Sequence, residues 1–405
     1  MLLPVDQALQ SLLEQAIPTE LVTHAPIQEA CGKILAEDIV SEVRVPPADN
    51  SAMDGYAVRL SDAQTDNLLS VSQRIPAGTP PAPLVAGTAA RIFTGAQIPE
   101  GADTVVMQEN AELDGEKVRF TSLPNSPGNN IRRAGEDIQI GATILEKGAA
   151  LRPQETGLLA SVGIDQVPVF KPLRVAVLST GSELVEPGTP LQPGQIYNSN
   201  RPMLLSFLDS LGFEAIDAGI CADTLDGTKD ALEKAAKSAD VVITSGGVSV
   251  GEEDHVKAAV EALGEINLWK VAIKPGKPFA FGKIGHTVKN GDDATHFLGL
   301  PGNPASVFTT FLILARPFLL KCQGKSQTEI SPIKVPAGFS RKSVSRQEYL
   351  RVRVVDRKLK LFPNQGSGVL TSACWGEGFA IHRIGEEIAE GDPIDFVPFA
   401  SLINP

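Results

Sequence analysis

One loop of this sequence combines a phosphate-binding pattern with acidic side chains. The segment TSGGVSVGEEDH, residues 244–255, places Ser245, Gly246 and Gly247 shortly before three consecutive acids that end at Asp254. Glycine-rich loops receive phosphate through backbone N–H groups, whereas carboxylates repel it. A divalent cation such as Mg²⁺ removes the conflict, because it bridges carboxylate and phosphate oxygens. A tight turn followed by solvated acids is the alternative interpretation.

Two further motifs could hold an anion. KPGKP carries Lys274 and Lys277 in a loop that its prolines stiffen, and two nearby ammonium groups repel each other unless an anion lies between them. A solvated lysine pair is the alternative. PGNPAS places Asn303 at the N-cap and Pro304 at the first position of a helix, a usual helix start with or without a ligand.

A second group of polar residues lies earlier in the chain. DNSAMDGYAV contains Asp54, IFTGAQIPEGAD contains Thr94, and NIRRAGEDI contains Asp137. Asp-Gly and Asn-Ser pairs favour turns, so ordinary turns are the alternative here too.

The elements that must position these residues alternate between strand and helix from about 171 to 325. Such alternation predicts right-handed crossovers and a mostly parallel, doubly wound sheet. Ligands bind outside the carboxyl ends of such strands. Glu183 follows the first predicted strand and Asp223 follows the second. The glycine loop with its acids, KPGKP and PGNPAS follow later strands. The sequence therefore predicts one site at one edge of the sheet.

The remaining segments have a different pattern of apolar residues. Short alternating apolar runs between about 43 and 140 predict a small β-rich unit, and residues 326–405 predict a compact β-barrel or sandwich. The chain begins with the pattern of an amphipathic helix rather than a signal peptide. Its most apolar run, from Ala305, is broken by Arg316 and Pro317, so we expect a buried helix and no membrane span.

Composition excludes several classes of protein. The chain has 405 residues and a formal net charge of −12, which argues against a general nucleic-acid binder. Its four cysteines are scattered and its five histidines lack paired spacing, so neither zinc nor a disulfide framework is indicated. We expect a cytoplasmic protein.

Taken in order, these motifs resemble the molybdopterin molybdenumtransferase (MoeA) family, which is also represented in the E domain of gephyrin. The resemblance rests on DNSAMDGYAV, FTGAQIPEGADTVVMQE, NIRRAGEDI, VAVLSTGSELVEPG, TSGGVSVGEEDH, WKVAIKPGKPFAFG and GLPGNPAS, and it spans essentially the whole chain. One departure is Asn198 in YNSN, where many relatives carry aspartate.

The resemblance implies an elongated homodimer of four-domain subunits. A linking domain would comprise 1–42 and 141–170, with the β-rich domain, 43–140, inserted between them. The molybdopterin-binding α/β domain would be 171–325 and the C-terminal β-barrel 326–405. The cleft would lie between the inserted domain of one subunit and the last two domains of its partner.

The resemblance also implies an activity and a set of site residues. Members take adenylylated molybdopterin and molybdate, cleave the pyrophosphate link with Mg²⁺, and release AMP. The implied catalytic residues are Asp54, Thr94, Asp137 and Glu183. The implied metal ligands are Asp223 and Asp254. The implied substrate-binding residues are Ser245, Gly246, Gly247, Lys274, Lys277, Asn303, Arg351 and Ser367. Asp54 and Asp137 would come from the other subunit.

Two other functions fit the same fold. A molybdopterin adenylyltransferase carries a GGTG-type loop, whereas this chain has GGVSVG, and it would need only the α/β domain. A scaffold of the same fold, as gephyrin is at synapses, would need additional oligomerising regions. We also expect transient contacts with the molybdopterin adenylyltransferase and with insertion factors of molybdoenzymes, and none with nucleic acid or membranes.

Overall fold

A computed structural model describes residues 2–248, 255–285 and 294–403, apart from the side chain of Leu268. The described chain contains four groups of strands and several packed helices. Its multidomain α/β and β organisation agrees with the expectation from the sequence.

The first group joins segments from both sides of the inserted region. Strand Val22–Pro26 pairs with Gln166–Phe170, and Ile39–Val40 pairs with Thr143–Leu145, both antiparallel. Helix Pro153–Ser161 covers them. A small core that includes Leu35, Leu151 and Leu159, all with no exposed surface, holds the group together.

The N-terminal helix Val5–Gln15 packs elsewhere. It buries Val5, Ala8 and Leu12 in the same core as the α/β sheet. Leu3 also forms a bridge with Val271. The sequence assigns all of residues 1–42 to the linking domain, whereas this helix belongs by its contacts to the α/β unit. Apolar periodicity shows that a helix has a buried face but not which partner covers it. The other domain limits stay predictions.

The inserted region forms a six-stranded sheet. Its strands, in spatial order, are Thr104–Met107, Gly55–Val58, Thr88–Ile92, Leu68–Ile75, Lys117–Phe120 and Ala111–Asp114. A short pair, Asn50–Ser51 with Ile131–Arg132, flanks it. The alternation of small and branched apolar residues with turn residues explains why this region forms sheet rather than helix.

The α/β sheet is mixed. Its strands, in spatial order, are Glu214–Cys221, Arg174–Thr180, Val241–Ser245, Thr295–Leu300, Pro278–Ile284 and Gly264–Lys270. The first four run parallel and the last two pairs are antiparallel. The prediction of a mostly parallel sheet missed the strand Pro278–Ile284. This strand begins at the last proline of KPGKP, and the short loop before it lets the chain return as an antiparallel hairpin instead of crossing over.

Helices cover both faces of this sheet. Asn200–Ser210 and the long helix Pro304–Cys322 lie with the N-terminal helix on one face, and Leu225–Ser238 and His255–Leu263 lie on the other. Pro304–Cys322 includes a π-helical turn, Phe311–Ala315. Among the described residues it is the one helix apolar and long enough to span a membrane, but 89% of its most apolar stretch is buried inside the protein. It is therefore the core helix that the sequence predicts.

The C-terminal strands form a ring. Ile333–Pro336, Pro393–Pro398, Gly378–His382, Gln347–Val355 and Lys358–Leu361 pair successively and antiparallel. Ala337 then bridges Leu359, which joins the first strand to the last. Short helices Thr371–Trp375 and Phe399–Ile403 complete the unit.

Two contacts attach this ring to the α/β sheet. The short strand Ile273–Lys274 pairs in parallel with Gln347 and Glu348. Phe379 and Phe399 pack against Phe308 of the long helix, with ring centroids 5.7 and 5.0 Å away. Burying one such aromatic side chain stabilises the fold by roughly 1.5–3 kcal/mol.

Candidate functional site

A cavity of about 640 Å³ opens at the carboxyl edge of the α/β sheet. This volume lies in the range of small-molecule sites. Residues at the carboxyl ends of the strands contribute to its lining, as expected for ligand binding in an open α/β sheet. The predicted site residues that line it are Glu183, Ser245, Gly246, Lys274, Lys277, Asn303 and Ser367.

The glycine loop is only partly available for phosphate. Ser245 ends its strand with 2% of its surface exposed, and its hydroxyl oxygen has no partner among the described residues. The N–H of Gly246 donates to the carbonyl of Leu300 at 3.0 Å, so it extends the sheet ladder and already has a partner, unlike the free phosphate donor that we predicted. Gly247 has φ +66°, and a Cβ there would lie 2.3 Å from a methyl of Val256. Gly247 does not line the cavity, and its described neighbours leave no room for a side chain.

The KPGKP loop brings two cations to the cavity. The ammonium of Lys274 donates to Oε1 of Glu348 at 2.6 Å, while 45% of the side chain stays exposed. The exposed Lys277 makes no side-chain hydrogen bond or ion pair with the residues that the structure describes. Gly276 between them has φ +110°, and a Cβ there would lie 2.4 Å from a methyl of Thr310. The loop can therefore approach the long helix only with glycine at this position.

The start of the long helix forms another wall. Asn303 occupies the N-cap position as predicted, but its side chain makes no capping hydrogen bond. The N–H of Ala305 donates instead to the carbonyl of Ser367, at 2.9 Å. This bond joins the helix start to the loop 364–368 of the C-terminal unit.

Three residues that line this cavity carry buried polar atoms without a described partner. Among the described residues, Nδ2 of Asn198 and Oδ1 of Asn200 are buried without a hydrogen-bond partner, as is the hydroxyl of Ser245. Asn198 is 2% exposed, and its Oδ1 accepts from the N–H of Arg201 at 3.3 Å, which leaves Nδ2 as a donor. Buried polar groups are rarely left unsatisfied. These atoms are therefore suited to a polar ligand.

The predicted metal ligands are only partly described. Asp223 is exposed, and the hydroxyl of Thr180, which lines the cavity, lies 3.5 Å from its Oδ1. Asp254 lies outside the described residues. Over 2–248, 255–285 and 294–403, no group of three or more His, Cys, Asp or Glu residues is placed to hold a metal ion.

The second predicted group lies apart from the cavity lining. Thr94 donates to Oδ1 of Asp54 from its backbone N–H at 2.7 Å and from its hydroxyl at 2.8 Å. These hydrogen bonds, the backbone one foremost, lower the pKa of Asp54. Asp137 is exposed, and its N–H donates to the carbonyl of Val45 at 3.0 Å. The structure brings Asp54 and Thr94 together but places neither with Glu183.

Arg351 lies behind the cavity wall rather than on it. Only 1% of its surface is exposed, and its guanidinium donates to the hydroxyl of Ser372 at 2.9 Å and to the carbonyl of Gly366 at 3.1 Å. Burial lowers its pKa to about 10. This placement differs from the direct oxyanion contact that the sequence predicts. Arg351 holds the loop that carries Ser367.

Sequence inspection missed Arg346, a third cation in the lining. Its NH1 lies 3.5 Å from the carbonyl of Ile273, next to the lysine loop. Of the described lining residues, Lys274, Lys277 and Arg346 are cationic, and Glu183 alone is acidic. Such a cavity favours an anion. Arg346 reaches the lysine loop because strand 273–274 pairs with residues 347–348. No local sequence pattern shows that long-range contact.

Family models match three parts of the chain. The MoeA N-terminal region (domain I and II) matches residues 3–163, the probable molybdopterin binding domain matches 176–321, and the MoeA C-terminal region (domain IV) matches 334–399.

Curated relatives and solved structures agree with these matches. The chain is 47% identical over 360 residues to the molybdopterin molybdenumtransferase of Haemophilus influenzae, covering 86% of this chain and 85% of that one. It is 40% identical to the enzyme of the same name from Nostoc, covering 77% and 71%. A crystal structure of the molybdopterin biosynthesis moeA protein of Pyrococcus horikoshii is similar with a TM-score of 0.83 at 30% identity, covering 98% of this chain and all of that one.

Proposed function

This chain belongs to the molybdopterin molybdenumtransferase family, and from that premise we propose how its cavity carries out the transfer. It is a transferase of molybdenum-cofactor synthesis. In our proposal it takes adenylylated molybdopterin and molybdate, cleaves the pyrophosphate link, and releases AMP while molybdenum passes to the pterin dithiolene.

The observation that carries this proposal is the charge of the cavity. Three cationic side chains face a single acidic one among the described lining residues, in a chain whose formal net charge is −12. Molybdate and the phosphates of the substrate are both anions that lysine and arginine bind well. Lys274, Lys277 and Arg346 would share these oxygens between them.

The neutral polar groups would orient the substrate. Nδ2 of Asn198 can donate, Oδ1 of Asn200 can accept, and the hydroxyl of Ser245 can do either. A bound substrate that satisfies these atoms is held in one position, which makes the reacting groups effectively intramolecular. Glu183 is the described lining carboxylate, and we assign to it the proton of the water that attacks phosphorus as the pyrophosphate link breaks and AMP leaves.

The residues present are compatible with Mg²⁺. Protein sites for this ion commonly supply only one or two carboxylates, with substrate phosphates and water completing the shell. Asp223 and Asp254 would hold it. When bound, the ion would neutralise charge on the phosphate oxygens.

We further propose that two copies of the chain complete each site. Within one chain, Asp54, Thr94 and Asp137 do not line the cavity, although the first two form a preorganised carboxylate–hydroxyl pair. A second subunit that brings this pair to the cavity would unite the predicted catalytic residues, in agreement with the symmetric dimers common among enzymes.

Release of AMP tests the proposed reaction. Purified protein is incubated with adenylylated molybdopterin, with and without molybdate and with and without Mg²⁺. We expect each ion to raise the rate of AMP release by about tenfold or more. Release that is independent of both ions would contradict the proposal. Formation of adenylylated molybdopterin from molybdopterin and ATP would favour the adenylyltransferase instead.

A further inference from the structure

Glu348 is a buried carboxylate that contacts a cavity lysine from another domain. Only 2% of its surface is exposed, and it does not line the cavity. Its Oε1 accepts from the ammonium of Lys274 at 2.6 Å, and its Oε2 accepts from the guanidinium of Arg341. Both cations therefore converge on one carboxylate.

The backbone fixes this carboxylate in place. Glu348 pairs with Lys274 across a parallel strand pair and with His382 across the adjacent antiparallel pair. The N–H of the neighbouring Gln347 donates to the carbonyl of Ala272 at 2.8 Å. Glu348 is thus held by strands on both sides, whereas Lys274 lies on a two-residue strand that leads directly into a loop.

The contacts leave Lys274 able to bind a second anion. An ammonium has three N–H donors, and Glu348 accepts one of them, so two remain for a ligand. Counted over their own side chains, Lys274, Arg341 and Glu348 carry one net positive charge. The ring Nε2 of His382 bonds to the carbonyl of Glu386 at 2.8 Å, and its Nδ1 lies 3.7 Å from Glu348.

We propose that Glu348 is a positioning residue for oxyanion binding. It holds the ammonium of Lys274 at the cavity wall. The two remaining N–H donors can then bind molybdate or phosphate with a smaller loss of side-chain entropy. Holding a flexible lysine in its bound geometry improves affinity by lowering the entropy lost on binding. This proposal rests on the proposed function only in taking the ligand to be an oxyanion.

A double-mutant cycle separates positioning from general support of the fold. Equilibrium dialysis with molybdate alone gives the dissociation constant for wild type, Glu348→Gln, Lys274→Met and the double variant. The glutamine keeps the side-chain shape but offers an amide donor where one cation now lies. Thermal unfolding of each variant shows that it is folded, and Glu348→Asp replaces the glutamine variant if that protein does not fold.

Asp395→Asn provides the matched control. Asp395 is a buried carboxylate of the same C-terminal unit, 8% exposed, and it too joins two cations, Arg383 and Lys334, each at 2.8 Å. None of these three residues lines the cavity. Its substitution therefore tests the loss of a comparable ion pair that includes no residue of the cavity lining.

We expect Glu348→Gln to weaken molybdate binding about tenfold in wild type and less than about twofold in the Lys274→Met background. Asp395→Asn should leave binding unchanged. Equal effects of Glu348→Gln in both backgrounds, no effect in either, or an equal effect of Asp395→Asn would overturn the proposal. Absence of molybdate binding by wild type would also overturn it, whereas molybdate binding without AMP release would contradict only the proposed reaction.

Discussion

At the scale of residues, the site depends on how charged groups are paired. Lys274 and Arg351 both have protein partners, but Lys274 remains half exposed at the cavity and Arg351 is fully enclosed. Both side chains are basic, so their charge alone does not show which of them can reach a ligand. Lys277 differs from both, since no described side chain pairs with it, and its charge is available to a ligand.

Lys277→Gln is therefore expected to affect function rather than stability. We expect the apparent KM for molybdate to rise about tenfold, because a charge-assisted hydrogen bond is lost. The midpoint of thermal unfolding should stay unchanged, since an exposed lysine contributes little to folding. Steady-state AMP release at varied molybdate, with circular dichroism, measures both quantities. Lys360→Gln, an exposed lysine of the C-terminal unit, is the control. An unchanged KM would remove Lys277 from the site.

The sequence predicted the candidate residues better than their roles. Seven of the predicted residues line one cavity. Six of them follow strand ends, where polar residues and glycine are recognisable locally, whereas Ser367 was implied by the family resemblance. Arg346 and Glu348 were missed, since their importance comes from a strand pair 74 positions apart along the chain. The N–H of Gly246 was assigned to phosphate, although only the sheet register shows that Leu300 accepts from it.

At the scale of elements, the KPGKP loop is positioned by close packing. Its glycine lies against the long helix, at a place where any side chain would overlap Thr310. The short strand before the loop joins the C-terminal ring, so the loop is held from two sides. The hairpin that follows was not predicted, because the apolar run FAFGKI is compatible with a strand of either direction.

Gly276→Ala is expected to destabilise the protein by about 2–4 kcal/mol, from a strained positive φ and from overlap with Thr310. Gly141→Ala is the matched control, because Gly141 also has a positive φ, +81°, but no atom lies within 4 Å of an added Cβ. That variant should lose only about 1 kcal/mol. Urea unfolding measures both. Equal losses in the two variants would show that packing against the helix is unimportant.

At the scale of the whole molecule, the C-terminal unit and the α/β sheet act together. They share one hydrophobic core and both line the cavity, which contains Ser245 from the sheet and Ser367 from the C-terminal loop. The inserted sheet contributes no described residue to this lining. In the proposed dimer, the inserted sheet of the second subunit would bring Asp54 and Thr94 to this cavity.

The position of molybdenum in a crystal of the protein soaked with molybdate tests the central claim most directly. Anomalous scattering at the molybdenum absorption edge locates the metal without reference to activity. We expect one peak in the cavity, at a position where the oxygens of the bound molybdate accept hydrogen bonds from the ammonium groups of Lys274 and Lys277. Asp54 of a second copy should face the same cavity. A peak elsewhere on the protein, with this cavity empty, would contradict the account.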